Sequence, residues 1–354
     1  MALYIIVALL PLVFEAIYNE HERHAAASAK KWRWVYILIS LLPLFALIAL
    51  RGADLGADTG VYLKHFGNVA QSTWKDLLDG TDRMERGYLI FVKLLTCVVK
   101  DARIYQVICA FIYLAAMFTF SIQQKKSPFL FIYFFATLGL YTFMFTGTRQ
   151  CLAMSICLFS YVFIRKRRII PFVLLVVLAY FFHKSSILFL VTYFIHNRKI
   201  TWYNMLIYGG ISALSVYYIE NIQQFFNDAL DYDYEIESTG SGGIFFVLIL
   251  GLTVMSYVVM AMYNKLTKES RGFFNIGVIT VFFWLLRIIT RVAERPSYFF
   301  LFFSCALVAY ALDAIPKTKE RFFAKCAVCA VTMALFIYRF SGNFASFIPY
   351  ETFF

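Results

Sequence analysis

The side chains that could do chemistry lie in six short polar clusters within an otherwise apolar chain. Arginine guanidinium groups can bind phosphate oxygens through paired hydrogen bonds, and a carboxylate or a neutral imidazole can take a proton from a hydroxyl group. The clusters combine both kinds of group, so their convergence on one membrane face would make one active site. They occupy residues 56–59, 85–88, 148–150, 182–185, 291–295 and 348–350.

Three residues, Asp58, Glu85 and His183, are candidates for a proton-accepting base. His183 lies between two shortened apolar segments, and broken segments at membrane depth are tolerated mainly where they line a protein or water cavity. A neutral His there can accept a proton or bind a ligand, although a helix-capping role fits equally well. Asp58 can orient sugar hydroxyls at the mouth of a helix bundle; alternatively, Asp58 or Thr59 caps a surface helix.

The arginines give the strongest electrostatic signal. Arg287, Arg291 and Arg295 are spaced by four, which predicts one stripe of a helix that ends at Pro296. Three like charges repel each other unless an anionic group lies among them, and Glu294 can neutralise only part of this charge. We therefore favour a phosphate ligand over internal ion pairs.

A fourth arginine, Arg149, begins an apolar segment, where a cation needs an anionic partner. A snorkelling side chain that reaches the lipid headgroups is the alternative.

Composition fixes the class of protein that must position these residues. With 61% hydrophobic and 15% charged residues, the chain is too apolar for a soluble globule, and its long apolar runs predict an all-α transmembrane bundle rather than a barrel. We predict a single integral membrane domain over residues 1–354 with about 12 spans. The runs are 2–18, 34–50, 104–122, 129–146, 150–164, 169–182, 185–195, 201–219, 243–263, 272–289, 298–315 and 322–340.

Charge predicts how this bundle is oriented. The loops on one side carry more than half of the 33 Lys and Arg, which marks that side as cytoplasmic and places both termini and all six clusters outside. The net charge of +12 then reflects topology, not nucleic-acid binding.

Residues 51–103 form an outer loop in which the apolar stretch 88–99 is interfacial or re-entrant. A second outer loop, 220–242, is rich in acid and Tyr, which suits a glycan or an ordinary solvated loop.

Several functions are disfavoured by missing motifs. The sequence has no Walker or dinucleotide-type glycine motif, so a nucleotide-fuelled machine is disfavoured. Cys326 and Cys329 form a C-x-x-C pair inside a span without a nearby His or acidic ligand, which predicts core packing rather than metal or redox use. We therefore expect no cofactor and no metal.

The order and spacing of the clusters resemble the EpsG family of bacterial membrane proteins, the Wzy-like polymerases of exopolysaccharide, capsule and O-antigen. Two positions depart from the usual family pattern, Arg86 in place of Pro and Ser186 in place of Ala. The matching pieces are Arg51 with Gly56-x-Asp58-Thr59-x-x-Tyr62, Glu85-x-Gly87-Tyr88, Arg149-Gln150-x-x-Ala153, Phe182-His183-x-Ser185, Glu294-Arg295 before Tyr298-Phe299, and Pro349-Tyr350.

The resemblance implies a fold akin to the C-type glycosyltransferases and an enzyme of the bacterial inner membrane. That enzyme would polymerise undecaprenyl-pyrophosphate-linked repeat units at the outer face, without a metal. Its partners would be those lipid-linked glycans and membrane lipids, with a chain-length regulator as a further candidate.

A mechanism follows as a hypothesis. The arginines would hold the pyrophosphate of the donor and stabilise its growing charge, and His183 or Asp58, ahead of Glu85, would deprotonate the acceptor. The predicted substrate-binding residues are Arg51, Thr59, Tyr62, Arg149, Gln150, Ser185, Arg287, Arg291, Glu294, Arg295, Tyr298 and Tyr350.

Two other functions remain open. A ligase or single-sugar transferase would use the same lipid carrier and differ in the length of its product. A flippase or transporter would need charged groups near mid-span and an inner gate, whereas this chain gathers its polar groups on one face.

Overall fold

The computed structural model is all-helical, as the apolar runs predict. It describes residues 1–79, 82, 84–124, 127–230, 242–342 and 347–354, and within these ranges it has no β-strand. The predicted loop 220–242 is therefore described only at its two ends, because residues 231–241 lie outside the described residues.

Most of the helices coincide with the predicted apolar runs. In chain order they are α1 Ala2–His24, α2 Ala26–Ala49, α3 Thr59–Gln71, α4 Trp74–Leu78, α5 Arg86–Val98, α6 Ala102–Gln123, α7 Pro128–Thr137, α8 Leu140–Phe143, α9 Thr148–Arg165, α10 Ile169–Tyr180, a 3-10 helix Lys184–Leu190, α11 Val191–Ile195, α12 Trp202–Tyr217, α13 Ile219–Leu230, α14 Gly243–Met262, α15 Lys268–Arg287, a 3-10 helix Arg291–Ala293, α16 Glu294–Ala314 and α17 Thr318–Gly342.

Among the described residues, six helical segments are long and apolar enough to cross a membrane: α1, α2, α6, α14, α17 and the segment that ends with α16. The other predicted runs lie on shorter or more polar helices, so a bundle of 12 spans stays a prediction. The run 129–146 is not one helix, because Gly139 adopts a φ of 97° between α7 and α8. Helix α5 has 13 residues and a length of about 20 Å, which is less than the hydrocarbon core of a bilayer.

The described chain divides into two compact units. The first comprises Met1–Val162, Leu174–His183 and Cys326–Phe354, and the second comprises Phe163–Val173 and Lys184–Lys325. In the first unit α7 packs against α1, α2 and α6, and every residue of α7 is buried. In the second unit α14, α15 and α16 pack against one another.

The two most deeply buried helices follow from their sequences. Both α7 and α16 are apolar on nearly every side, and such a helix needs neighbours all round it. Lipid tails are as apolar as these side chains, so close packing rather than release from water holds the helices together. Pro128 begins α7 at a position where its missing N–H costs no hydrogen bond.

The C-terminal tail folds back onto the end of α2 in the first unit. The Gly52 amide donates to the Glu351 carbonyl at 2.7 Å, and the Phe353 amide donates to the Leu50 carbonyl at 3.1 Å. The Tyr350 hydroxyl donates to the Leu47 carbonyl at 3.2 Å. The predicted tail cluster therefore braces the segment that leads into α3.

Gly56 ties that segment to the chain just before α9. Its φ is 83°, and a Cβ built there would lie 2.7 Å from the Phe145 Cβ and closer still to the Phe145 carbonyl oxygen. Only glycine combines this conformation with such a close approach. The first residue of the Gly-x-Asp-Thr motif is therefore glycine because the backbone there has a positive φ and lies against Phe145.

We expect Gly56→Ala to lower the free energy of unfolding by more than the roughly 1–2 kcal/mol that a left-handed backbone costs a non-glycine residue, because the clash with Phe145 adds to it. Thermal unfolding of the purified protein in detergent measures this. Gly67→Ala is the control, since an added Cβ there has nothing within 4 Å. An unchanged melting temperature for Gly56→Ala would show that the contact with Phe145 is not rigid.

Candidate functional site

The first unit brings together three residues that sequence analysis had placed in separate clusters: Glu85, Arg149 and His183. A Glu85 carboxylate oxygen lies 3.2 Å from His183 Nδ1, and the other oxygen accepts a hydrogen bond from the Arg149 guanidinium. Arg149 Nε also donates to the Tyr62 hydroxyl at 3.4 Å. We name the four residues Glu85, Arg149, His183 and Tyr62 the Glu85 cluster.

Each member of the Glu85 cluster lies at or near the end of a helix. Glu85 directly precedes α5, Arg149 lies in the first turn of α9, and His183 follows α10. Helix ends leave backbone groups unpaired and side chains free to converge, which is why polar residues concentrate there. Tyr62 reaches the cluster from α3.

Gly87 lets α5 approach the end of α10 closely enough for Glu85 to meet His183. A Cβ at Gly87 would lie 2.6 Å from the Phe181 Cβ, and the Tyr88 amide donates to the Phe181 carbonyl at 3.2 Å. The Tyr88 hydroxyl shares a 2.7 Å hydrogen bond with Tyr105. The Glu-x-Gly-Tyr motif is thus one device, in which Gly87 and Tyr88 place the carboxylate of Glu85.

Burial makes the charges of this cluster depend on each other. Glu85 is 8% exposed and His183 is 5% exposed. Burial alone would raise the pKa of the Glu85 carboxyl, but the His183 imidazole and the Arg149 guanidinium outweigh it and lower the pKa to about 2. Glu85 is therefore ionised at neutral pH and is a weak base there, whereas its charge can hold a proton on His183 Nδ1.

Arg51 and Thr59 form a second buried group in the first unit. Arg51 is 2% exposed, and its Nε donates to the Thr59 hydroxyl oxygen at 2.9 Å. Its guanidinium also donates to the carbonyls of Ile48 and Met144. The structure thus places Arg51 as a brace between the end of α2 and the chain that precedes α9.

Asp58 and Gln150 also lie in the first unit. Asp58 takes the N-cap position of α3, one of the two positions expected for the cap, and its side chain makes no capping hydrogen bond with that helix. Asp58 is partly exposed. Gln150, which follows Arg149 in the chain, is buried. Ser185 belongs to the second unit, where it is buried in the 3-10 helix.

The three arginines of the second unit do not share one helical stripe, and that prediction is wrong. Arg287 ends α15, Arg291 begins a 3-10 helix, and Arg295 lies in the first turn of α16. Thr290 is extended, with φ −132° and ψ 132°, which breaks the helix. Pro296 does not stop a helix either, because the first turn of α16 needs no hydrogen bond from it.

Glu294 is held by internal partners at this break. Arg287 Nε lies 2.8 Å from one Glu294 oxygen, and the Tyr298 hydroxyl donates to the other oxygen at 2.8 Å. Arg287 thus forms an internal ion pair, which was the alternative to the predicted phosphate ligand. Arg291 and Arg295 are exposed.

One further pair was missed by sequence analysis. His65 Nε2 lies 2.9 Å from Asp82, and the His65 ring stacks on Tyr88 at 5.8 Å between centroids. Neither residue stood in a recognised cluster, and their separation in sequence gave no signal. In the part of the chain that the structure describes, no group of three His, Cys, Asp or Glu residues is placed to hold a metal ion.

A comparison with protein families decides how these clusters are classified. The model of the EpsG family matches residues 34–352, nearly the whole chain. The chain belongs to the EpsG family. No curated protein and no solved structure matches it. EpsG family membership indicates a polymerase-like, glycosyltransferase-like activity in the membrane, which is consistent with the apolar helices.

The pairing of Glu85 predicts a stability difference that depends on pH. A carboxyl whose pKa falls from 4.5 to about 2 on folding contributes roughly 3 kcal/mol above pH 4.5, and this contribution is lost as the pH falls towards 2. Glu85→Gln should therefore be less stable than the wild type at pH 7. The gap should narrow between about pH 4.5 and 2, as measured by thermal unfolding across pH.

Comparing the two proteins at each pH cancels the titration of the other carboxyl groups. A gap that is the same at pH 7 and pH 3 would show that Glu85 contributes shape rather than charge.

Proposed function

We propose that this chain is a glycosyltransferase that joins oligosaccharide repeat units carried on a polyprenyl diphosphate, at the outer face of a bacterial inner membrane. The observation that carries this proposal is the buried contact between Glu85 and His183, with Arg149 as the counter-ion. EpsG family membership supports the class of reaction.

His183 is the proposed base that activates the acceptor. With Glu85 facing Nδ1, the neutral ring carries its proton on Nδ1 and its lone pair on Nε2, so Nε2 takes the proton from the acceptor hydroxyl. Glu85 is then a positioning residue and not the base. Asp58 remains the second candidate for the base because it is partly exposed in the same unit.

The rest of the reaction needs only an activated donor. The acceptor oxygen bonds to the anomeric carbon of the donor sugar, and the bond from that carbon to the phosphate oxygen breaks. Polyprenyl diphosphate leaves with the electron pair of that bond, so its negative charge grows during the step. Arg291 and Arg295 are the proposed ligands of this diphosphate, and their exposure supports that role.

We expect His183→Gln to lower the turnover number by about 100-fold or more, because general base catalysis contributes about 10²–10⁴-fold. The assay uses purified protein in lipid nanodiscs with a lipid-linked repeat unit and measures the polymer formed per enzyme and per unit time. His65→Gln is a matched control, since His65 also faces a carboxylate in the same unit.

Wild-type turnover in His183→Gln would overturn the proposed role of this residue. Gel electrophoresis of the same reaction mixture resolves the length of the product. A ladder of many repeat units supports a polymerase, and a single addition would assign the chain to the ligases or single-sugar transferases instead.

A further inference from the structure

The second unit contains a large apolar cavity that has no role in the reaction proposed above. It lies between α12, α14 and α15 and has a volume of about 550 Å³. Cavities of this size are typical of ligand pockets. Its lining includes Gly209 and Ser212 on α12, Phe246 and Tyr257 on α14, and Phe282 and Leu285 on α15.

The wall of this cavity is apolar even where hydroxyl groups line it. The Ser212 hydroxyl donates to the Tyr208 carbonyl at 2.8 Å, and the Thr253 hydroxyl donates to the Ile249 carbonyl at 2.7 Å. Both hydroxyls thus satisfy the backbone of their own helix. None of the described residues that line the cavity is charged, and most of them are apolar, so the wall offers mainly dispersion contacts.

The residues that line the cavity are spread along two helices, as the binding site of an extended hydrocarbon chain requires. On both α14 and α15 the outermost lining residues are 11 positions apart, Phe246 and Tyr257 on one helix and Phe274 and Leu285 on the other, or about 16 Å along each helix axis. Helix α14 is one of the six described segments that are long and apolar enough to cross a membrane, which is the environment of a hydrocarbon chain. No residue of α12 is buried, which leaves space along its inner face.

One end of the cavity lies beside the arginines. Leu285 precedes Arg287 by two residues, and Arg291 and Arg295 follow in exposed positions beyond the end of α15. The approach of Gly242 to Arg287, 3.1 Å from an added Cβ to the Arg287 Cγ, places the start of α14 at the same end. An apolar cavity whose lining helix leads into a cationic segment is complementary to a lipid with a strongly anionic headgroup.

We propose that this cavity holds the hydrocarbon chain of the lipid-diphosphate donor, with the diphosphate at Arg291 and Arg295. The inference rests on the proposed function for the identity of the donor. On this proposal the second unit binds the carrier lipid, and α12, α14 and α15 contact its hydrocarbon chain.

Two adjacent glycines on α12 provide a matched pair of variants. Gly209 lines the cavity and Gly210 does not, and an added Cβ has nothing within 4 Å at either position. Gly209→Phe should therefore place a ring in the cavity without displacing backbone, and Gly210→Phe adds the same ring outside it. Both variants carry the same change in helix propensity.

The test is photolabelling of the full chain in nanodiscs. One probe is geranylgeranyl diphosphate with a diazirine at the end of its chain, and the other is phosphatidylglycerol with a diazirine in one acyl chain. We expect the isoprenoid probe to label the cavity-lining residues, as located by mass spectrometry. Gly209→Phe should reduce that labelling about tenfold, equivalent to about 1.4 kcal/mol of binding free energy, and Gly210→Phe should not.

Equal labelling of the cavity by the phospholipid probe would overturn the proposal in favour of an ordinary membrane lipid. Labelling of wild-type protein elsewhere, or labelling unchanged in Gly209→Phe, would overturn it as well. Polymer synthesis separates this inference from the proposed function. Cavity labelling without any transferase activity would contradict the proposed function alone, and polymer synthesis with an unlabelled cavity would contradict this inference alone.

Discussion

A carboxylate that is 8% exposed has to be matched by positive groups, and in this protein Glu85 is matched by Arg149 and faced by His183. Burying an isolated carboxylate is so costly that the group would otherwise take up a proton. The first unit satisfies this constraint by joining the start of α5, the start of α9 and the end of α10 at one point. Gly87 and Tyr88 bring the start of α5 to the end of α10, and Gly56 and Tyr62 connect the region of α3 to the start of α9.

The same constraint decides which residue can act as a base. A carboxylate with a pKa near 2 has little tendency to take a proton at neutral pH, so Glu85 is better suited to hold His183 than to react. Arg149 compensates the charge of Glu85, so the carboxylate does not depend on His183 alone for a positive partner. The His183 imidazole is thereby held beside a fixed anion.

Much of the fold could be predicted from the sequence, because a helix that faces lipid has to be a long apolar run. That logic found α1, α2, α6 and α14 directly. Prediction from the sequence failed where a helix is interrupted and no Pro or Gly marks the interruption. The arginines at 287, 291 and 295 keep a helical spacing, yet the extended backbone of Thr290 puts them on three different elements.

The site was predicted as a set of residues but not as a set of contacts. Nothing in the sequence says that the carboxylate before α5 meets the imidazole after α10, since 98 positions separate Glu85 from His183. That contact depends on the approach of Gly87 to Phe181, which only a folded structure shows. A glycine two residues after a polar side chain was the one available signal, and it is a weak signal when taken alone.

The protonation of His183 tests the central claim most directly. Nitrogen NMR of protein labelled at its 5 histidines, with His183→Gln to assign the signal, reports which ring nitrogen carries the proton. We expect Nδ1 to carry the proton and Nε2 to carry the lone pair, and we expect Glu85→Gln to change this pattern. A neutral His183 with its proton on Nε2, or a spectrum unchanged by Glu85→Gln, would contradict the account.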